Sequence, residues 1–73
     1  MTTLYQIIHT IDNNVENNWE FYTEKTADEK LMRIAKEIAE EYDHDLIEED
    51  VEYSNTFSCC NEGVSKISIE VPV

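Results

Sequence analysis

T-A-D-E-K-L-M-R-I-A-K-E-I-A-E-E-Y, residues 26–42, is the stretch that decides the fold. Leu31, Ile34, Ala35, Ile38 and Tyr42 recur at helical spacing and define one apolar stripe. Thr26-Ala27-Asp28-Glu29 has the form of a capping box, with a Thr hydroxyl for an orphan N–H and Glu29 reaching back. Asp28 and Glu29 also suit the positive end of the helix dipole. Glu29 with Arg33, and Lys36 with Glu40, are spaced as ion pairs on the outer face. A helix with a single apolar stripe must be covered by a second layer.

The flanking segments supply that layer. Upstream, T-L-Y-Q-I-I-H-T-I (residues 3–11) is rich in β-formers and reads as a strand. Asp12 to Asn14 read as a loop, and the segment that follows, ending near Tyr22, fits either a short helix or a strand. Its asparagines favour turns, while Val15, Trp19 and Tyr22 sit at helical spacing. Downstream of Asp45 the period becomes two. Val51, Tyr53, Phe57 and Cys59 share one face, and Glu52, Ser54 and Thr56 the other. Asn61-Glu62-Gly63 is expected to form a hairpin turn, with Gly63 taking the positive φ. In V-S-K-I-S-I-E-V-P-V (residues 64–73), Ile67, Ile69, Val71 and Val73 alternate with Ser68 and Glu70. Pro72 belongs at the end or edge of that strand, since it cannot donate to a ladder. The expected fold class is α+β: one main helix on a small antiparallel β-sheet, with residues 1–73 forming a single compact acidic domain.

Charge then narrows the function. The chain has 17 acidic residues against 5 basic ones, a formal net charge of −12. Nucleic acid and anionic lipid surfaces should repel it, and basic proteins should attract it with salt-sensitive association. Nine carboxylates fall within the sixteen residues from Glu37 to Glu52, with no Lys or Arg among them. They are Glu37, Glu40, Glu41, Asp43, Asp45, Glu48, Glu49, Asp50 and Glu52. Ordinary solvated faces mix both signs. Glu40, Glu41 and Asp43 also sit where the helix dipole prefers cations. A local rule broken without visible compensation marks a functional surface, so these nine are the expected partner-binding residues. Asp12, Glu16 and Glu20 are candidate outliers to the same surface.

Other chemistries find little support. Counted from Asp43, a calcium loop would need a ligand at Ile47 and Gly at Glu48, so that signature fails. His44, among carboxylates, and His9, in an apolar strand, lack catalytic partners. Adjacent Cys59 and Cys60 are expected to be one buried and one partly exposed thiol, with no mutual disulfide. No catalytic residues, metal or cofactor are therefore expected, and the protein is not expected to be an enzyme. Of Trp19, Phe21 and Tyr22, at least one should be exposed and two should join the core. No stretch reaches the roughly 18 apolar residues of a membrane span, and the N-terminus lacks the basic flank of a signal peptide. Cytoplasm is the expected location.

The charge density suggests double-stranded DNA mimicry, because duplex DNA carries one phosphate charge per roughly 1.7 Å of axis. In size, acidity and scarcity of Gly and Pro, a chain of this kind beginning at Met1 resembles the small host-takeover proteins of bacteriophages. Within that group it is similar in character to the DNA mimics, among them a Bacillus phage inhibitor of the nucleoid protein HU. The resemblance implies an inhibitor in the host cytoplasm that displaces HU from the chromosome. RNA polymerase, restriction enzymes and CRISPR effectors are alternative basic targets. A second class of function is an acidic adaptor or antitoxin-like protein that recognises one basic partner by shape. A third is a structural component whose charge serves solubility. A homodimer through the C-terminal strand would extend the charged surface over two chains.

Overall fold

The structure is a computed structural model and describes residues 2–72. Two antiparallel strands, β1 (Thr2–Ile11) and β2 (Asn14–Phe21), precede two helices, α1 (Glu24–Glu41) and α2 (Glu48–Ser54). A second hairpin follows, β3 (Thr56–Cys59) and β4 (Glu62–Val71). The four strands form one antiparallel sheet in the order β2-β1-β4-β3, so the first and last strands lie together at its centre. The α+β class expected from the sequence is the observed one.

The segment with two readings is a strand. Asp12 and Asn13 both take positive φ, at 52° and 66°, which makes the tight turn whose twist suits a two-residue hairpin. That turn sends residues 14–21 back along β1, and helical spacing of three side chains cannot compete with a completed ladder. Between His9 and Thr10 the register shifts, since Asn17 opposes His9 and Val15 opposes Thr10. Glu16 is the extra residue of this β-bulge.

The main helix starts three residues before the expected cap. Thr23 is the N-cap, its Oγ1 accepting from the Thr26 N–H at 3.4 Å. The inward face of α1 is Ala27, Leu31, Ile34, Ala35, Ile38 and Ala39. It packs on Ile7 and Val64 at the sheet centre, with Val51 and Cys59 closing one end and Trp19, Phe21 and Tyr5 at the margin. Burial of each large aliphatic side chain contributes about 1.5–3 kcal/mol. Leu31→Ala would therefore cost roughly 2–5 kcal/mol.

Two expectations for the second half are corrected. Residues 48–54 are helical, not the start of a strand. Glu48, Glu49 and Asp50 occupy the first turn, where negative charge is favoured, and Val51 is the one buried residue of α2. Tyr53, expected on the core face, is 92% exposed. Asn55, left-handed at φ 60°, ends α2 and lets β3 begin. The following hairpin turns at Cys60-Asn61, not at Gly63, and Cys60 takes the positive φ of 59°. Gly63 lies inside β4 opposite Thr10 and Ser58. A Cβ there would approach the Ser58 Cβ to 3.3 Å, so close packing, not the turn, favours glycine.

The alternation in β4 is as expected, but α1 covers the opposite face from Ile67 and Ile69. Val64 and Lys66 point to the helix, leaving Ile67 at 42% and Ile69 at 38% exposure. Leu4 pairs with Ile69 and Gln6 with Ile67 on that outer face. Among the described residues, Glu20 is the one charged side chain that the regular part of the sheet turns the same way. Beyond Ser65, β4 has no strand on its β3 side among the described residues. Pro72 follows the end of β4, and Val73 lies outside the described residues.

Lys66 is the exception on the helix face. Its side chain is 7% exposed, with Nζ 3.0 Å from Glu24 Oε2 and also hydrogen-bonded to Asp28. Burial disfavours the ammonium, yet hydrogen bonds to Asp28 and Glu24 outweigh it and hold the pKa above the ordinary value. This clamp ties the first turn of α1 to the sheet.

Candidate acidic interface

All nine expected carboxylates are exposed. Glu37, Glu40 and Glu41 lie on the last turn and a half of α1, Asp43 and Asp45 on the connector, and Glu48, Glu49, Asp50 and Glu52 on α2. They form the outer, helical layer of the molecule, with the sheet behind it.

The end of α1 shows how local structure tolerates this charge. Tyr42 is the C-cap, and Asp43 adopts the left-handed conformation at φ 51°. The His44 N–H bonds the Ala39 carbonyl at 2.8 Å and the Asp43 N–H bonds that of Glu40 at 3.3 Å. This is the Schellman pattern, whose left-handed position is usually glycine. A carboxylate stands there instead, and the last turn holds no base. The two helix ends differ in sign. Acids at the C-terminus of α1 oppose its dipole, whereas those opening α2 are stabilised by theirs.

One base forms an ion pair with this set. Lys36 Nζ lies 3.0 Å from Glu48 Oε1, joining α1 to α2. The expected Lys36–Glu40 pair is replaced by this one, because α2 folds back alongside α1. Among the described residues, Glu29 and Arg33 form no ion pair.

Grooves show which acids come together. Glu37 and Glu41 border a cleft of about 390 Å³ with His9, Trp19, Lys30 and the buried Glu62. Glu40, Asp43 and Glu48 surround a shallower depression with Lys36 and His44. Glu52 lies apart, beside Glu24, Lys25, Asp28 and Glu29 at the other end of α1. The acidic surface thus runs further along α1 than the sequence pattern suggested. Glu20 does not join it, since its Gln6 partner places it on the outer sheet face. Asp12 sits at a hairpin tip, its N–H bonded to the Asn61 carbonyl at 2.8 Å.

Nothing in the sequence pattern singles out Glu62, which is expected only as part of the hairpin turn. It is 9% exposed. His9 Nε2 lies 2.5 Å from its Oε2, and the Tyr42 hydroxyl donates to its Oε1 at 3.1 Å. Asn17 Nδ2 contacts His9 Nδ1 at 3.1 Å. Burial opposes ionisation of Glu62, but hydrogen bonds with Glu41, His9 and Tyr42 outweigh it and hold the carboxyl below the ordinary range. Its neighbour Glu41 is pushed up, first by the hydrogen bond to Glu62 and then by like charge. Tyr42 is likewise raised, by burial and by its bond to Glu62. This network supports the end of α1 from below. A His on one strand and a Glu on a distant one give no sequence signal of contact.

His44 bonds the Asp45 carbonyl through Nδ1 at 2.7 Å and meets Phe57 edge-on at 6.0 Å. Among the described residues, no three His, Cys, Asp or Glu side chains come together as metal ligands. Trp19 and Phe21 pack against the core while Tyr22 is 74% exposed, as the run of aromatics requires. No helix among the described residues is long and apolar enough to cross a membrane. Comparison with known protein families, curated proteins and solved structures found no match to this chain.

Proposed function

We propose that this chain is a DNA mimic of the phage host-takeover type, an inhibitor that binds a basic DNA-binding protein and blocks its access to DNA. The bacterial nucleoid protein HU is the favoured target, in the cytoplasm of a host bacterium. The observation that carries this proposal is the helical layer itself: nine exposed carboxylates on α1, the connector and α2, with a single ion pair, Lys36–Glu48, among them. Along either helix, acids three or four residues apart rise about 4.5–6 Å, against 3.4 Å per phosphate on one DNA strand. The surface therefore copies the sign and row-like layout of phosphates, not their spacing one for one. Lys and Arg side chains that clamp phosphates are flexible enough to accept carboxylates at this spacing. Inhibition is then competition, without chemistry and without contact between this chain and nucleic acid.

Two copies would extend the charged layer. A homodimer is supported by the edge of β4 beyond Lys66, which no strand covers among the described residues, and by an outer sheet face that carries Leu4, Ile67 and Ile69 with Glu20 as its one charge in the regular part of the sheet. Strands of ten, eight, four and ten residues, at about 3.3 Å per residue and 4.8 Å per strand, give a face of roughly 500 Å². Two facing copies bury on the order of 1,000 Å², at the lower bound for a specific interface. In a chain of net charge −12, this is the face on which a second copy meets the least repulsion.

The adaptor alternative is favoured by one feature, the exposed Tyr53 and Ile47 beside the acids, at 92% and 62%. Such side chains recognise shape where phosphates would not. Affinity capture from bacterial lysate at low and high salt, followed by duplex DNA competition, separates the two. A mimic captures a basic nucleoid protein that salt releases and DNA displaces. Capture indifferent to both DNA and salt would establish an adaptor instead.

A further inference from the structure

Cys59 and Cys60 differ from two unrelated thiols in their geometry. Along a regular strand adjacent side chains point to opposite faces. Here β3 ends at Cys59, and the left-handed φ of 59° at Cys60 breaks that alternation. The two Sγ atoms lie 3.7 Å apart, with Cys59 buried and Cys60 exposed. A left-handed non-glycine residue costs roughly 1–2 kcal/mol. The hairpin register and the Asp12 N–H bond to the Asn61 carbonyl, at 2.8 Å, hold it in place.

Magnitudes decide what such a pair can do. Adjacent Cα atoms sit about 3.8 Å apart, short of the roughly 4.4–6.8 Å of ordinary disulfides, so direct S–S closure is strained. A tetrahedral centre that binds both sulfurs at about 2.3 Å needs them about 3.8 Å apart, and a pyramidal three-coordinate one with an angle near 100° about 3.5 Å. At 3.7 Å the pair is within about 0.2 Å of either spacing. Zinc is a poor occupant, because a structural site takes four protein ligands and no third His, Cys, Asp or Glu joins this pair among the described residues.

We propose that Cys59 and Cys60 form a preassembled dithiol site for a monosubstituted trivalent arsenical. Such a centre needs two sulfurs, since its remaining bond is to its own carbon. In the reaction R–As=O plus two thiols, two S–As bonds form and the As=O bond is lost. Both thiol protons leave with that oxygen as water, and no oxidation state changes. Capture begins at exposed Cys60. Burial pushes the Cys59 thiol up, with hydrogen bonding and charge from Cys60 adding to it, so closure onto Cys59 is the second, intramolecular step.

The test uses the full reduced chain and phenylarsine oxide. Intact mass should show one adduct per chain, with both thiols protected from iodoacetamide. A small dithiol should release the arsenical, whereas a monothiol at the same concentration should not. Cys60→Ser, at an exposed position that leaves the core intact, should weaken retention at least a hundredfold, and Cys59→Ser should match it. Retention by the folded chain should exceed that in urea about tenfold. An adduct that leaves one thiol alkylatable, retention by Cys60→Ser, or equal retention in urea would each overturn the proposal.

Discussion

Replacing Glu62 by Ala tests whether the buried network under the end of α1 carries the stability assigned to it. Glu62 and His9 meet at 2.5 Å with side chains 10% and 13% exposed, so the bond is charge-assisted and largely shielded. Such bonds contribute about 1.5–3 kcal/mol, and truncation also removes packing and the Tyr42 acceptor. Relief of Glu41 repulsion acts in the other direction. The expected net cost is about 2–3 kcal/mol, out of a total of roughly 4–11 kcal/mol for a chain of this size. At 4–8 °C per kcal/mol for a small domain, the thermal midpoint should fall by about 10–20 °C. Thermal unfolding by circular dichroism at pH 7 measures it. Glu62→Gln, which keeps a neutral hydrogen bond, should lose about half as much. The folded-state pKa of Glu62 lies below its ordinary value of 4.5. Its stabilisation is therefore present above pH 4.5 and lost as pH falls through the lower, folded value. Wild type and Glu62→Ala should converge in that acid window. A midpoint within about 2 °C of wild type at pH 7, or a difference that persists undiminished at low pH, would refute the network's role.

Glu41→Gln should behave in the opposite sense. The folded-state pKa of Glu41 is raised above 4.5, so its ionised form is disfavoured by folding, and the variant should gain stability at pH 7 but not at pH 3.5 in the same unfolding assay. Replacing Glu40, Glu41, Asp43 and Asp45 together by Gln or Asn should raise the thermal midpoint and weaken capture of the basic partner at least about tenfold in a salt-series binding assay. Lys66→Met should cost less than about 1 kcal/mol, since Met fills the stem's space and Glu24 and Asp28, both about half exposed, return to water. Lys66→Ala should cost about 2 kcal/mol in chemical denaturation. Ile69→Lys should leave the circular dichroism spectrum unchanged and convert the proposed dimer to monomer in light scattering.

The parts of this molecule legible in the sequence are those where period and chemistry agree. The apolar stripe of α1, the strand character of β1 and the alternation of β4 all follow from side chains that repeat with the element they occupy. Residues 48–54 misled because Val51 and Tyr53 alternate by chance. The stronger signal there was electrostatic, three acids opening a helix. The Cys60 turn was hidden because a left-handed cysteine has no sequence signature, whereas Gly63 advertises one it does not use. Which face of β4 meets α1 was likewise undetermined, since a lysine that sequence logic sends to water is drawn inward by Glu24 and Asp28. The acidic surface was visible because charge, unlike contact, needs no partner to be counted. Glu62 was not, because its partners lie 53 and 20 residues away.

The pairing of the first and last strands has a consequence for synthesis. β1 is complete at Ile11, but its central partner starts only at Glu62 and runs to Val71. At roughly 5–20 residues per second, a ribosome takes about 3–10 s to supply that interval. Until then the nascent chain has only the β1–β2 hairpin and the helices, and a lone two-stranded hairpin is marginal in water. The sheet therefore closes in one late, cooperative step, once β4 has been made. Thr2 and Val71 finish side by side, so the first and last residues of the central pair share one end of the sheet.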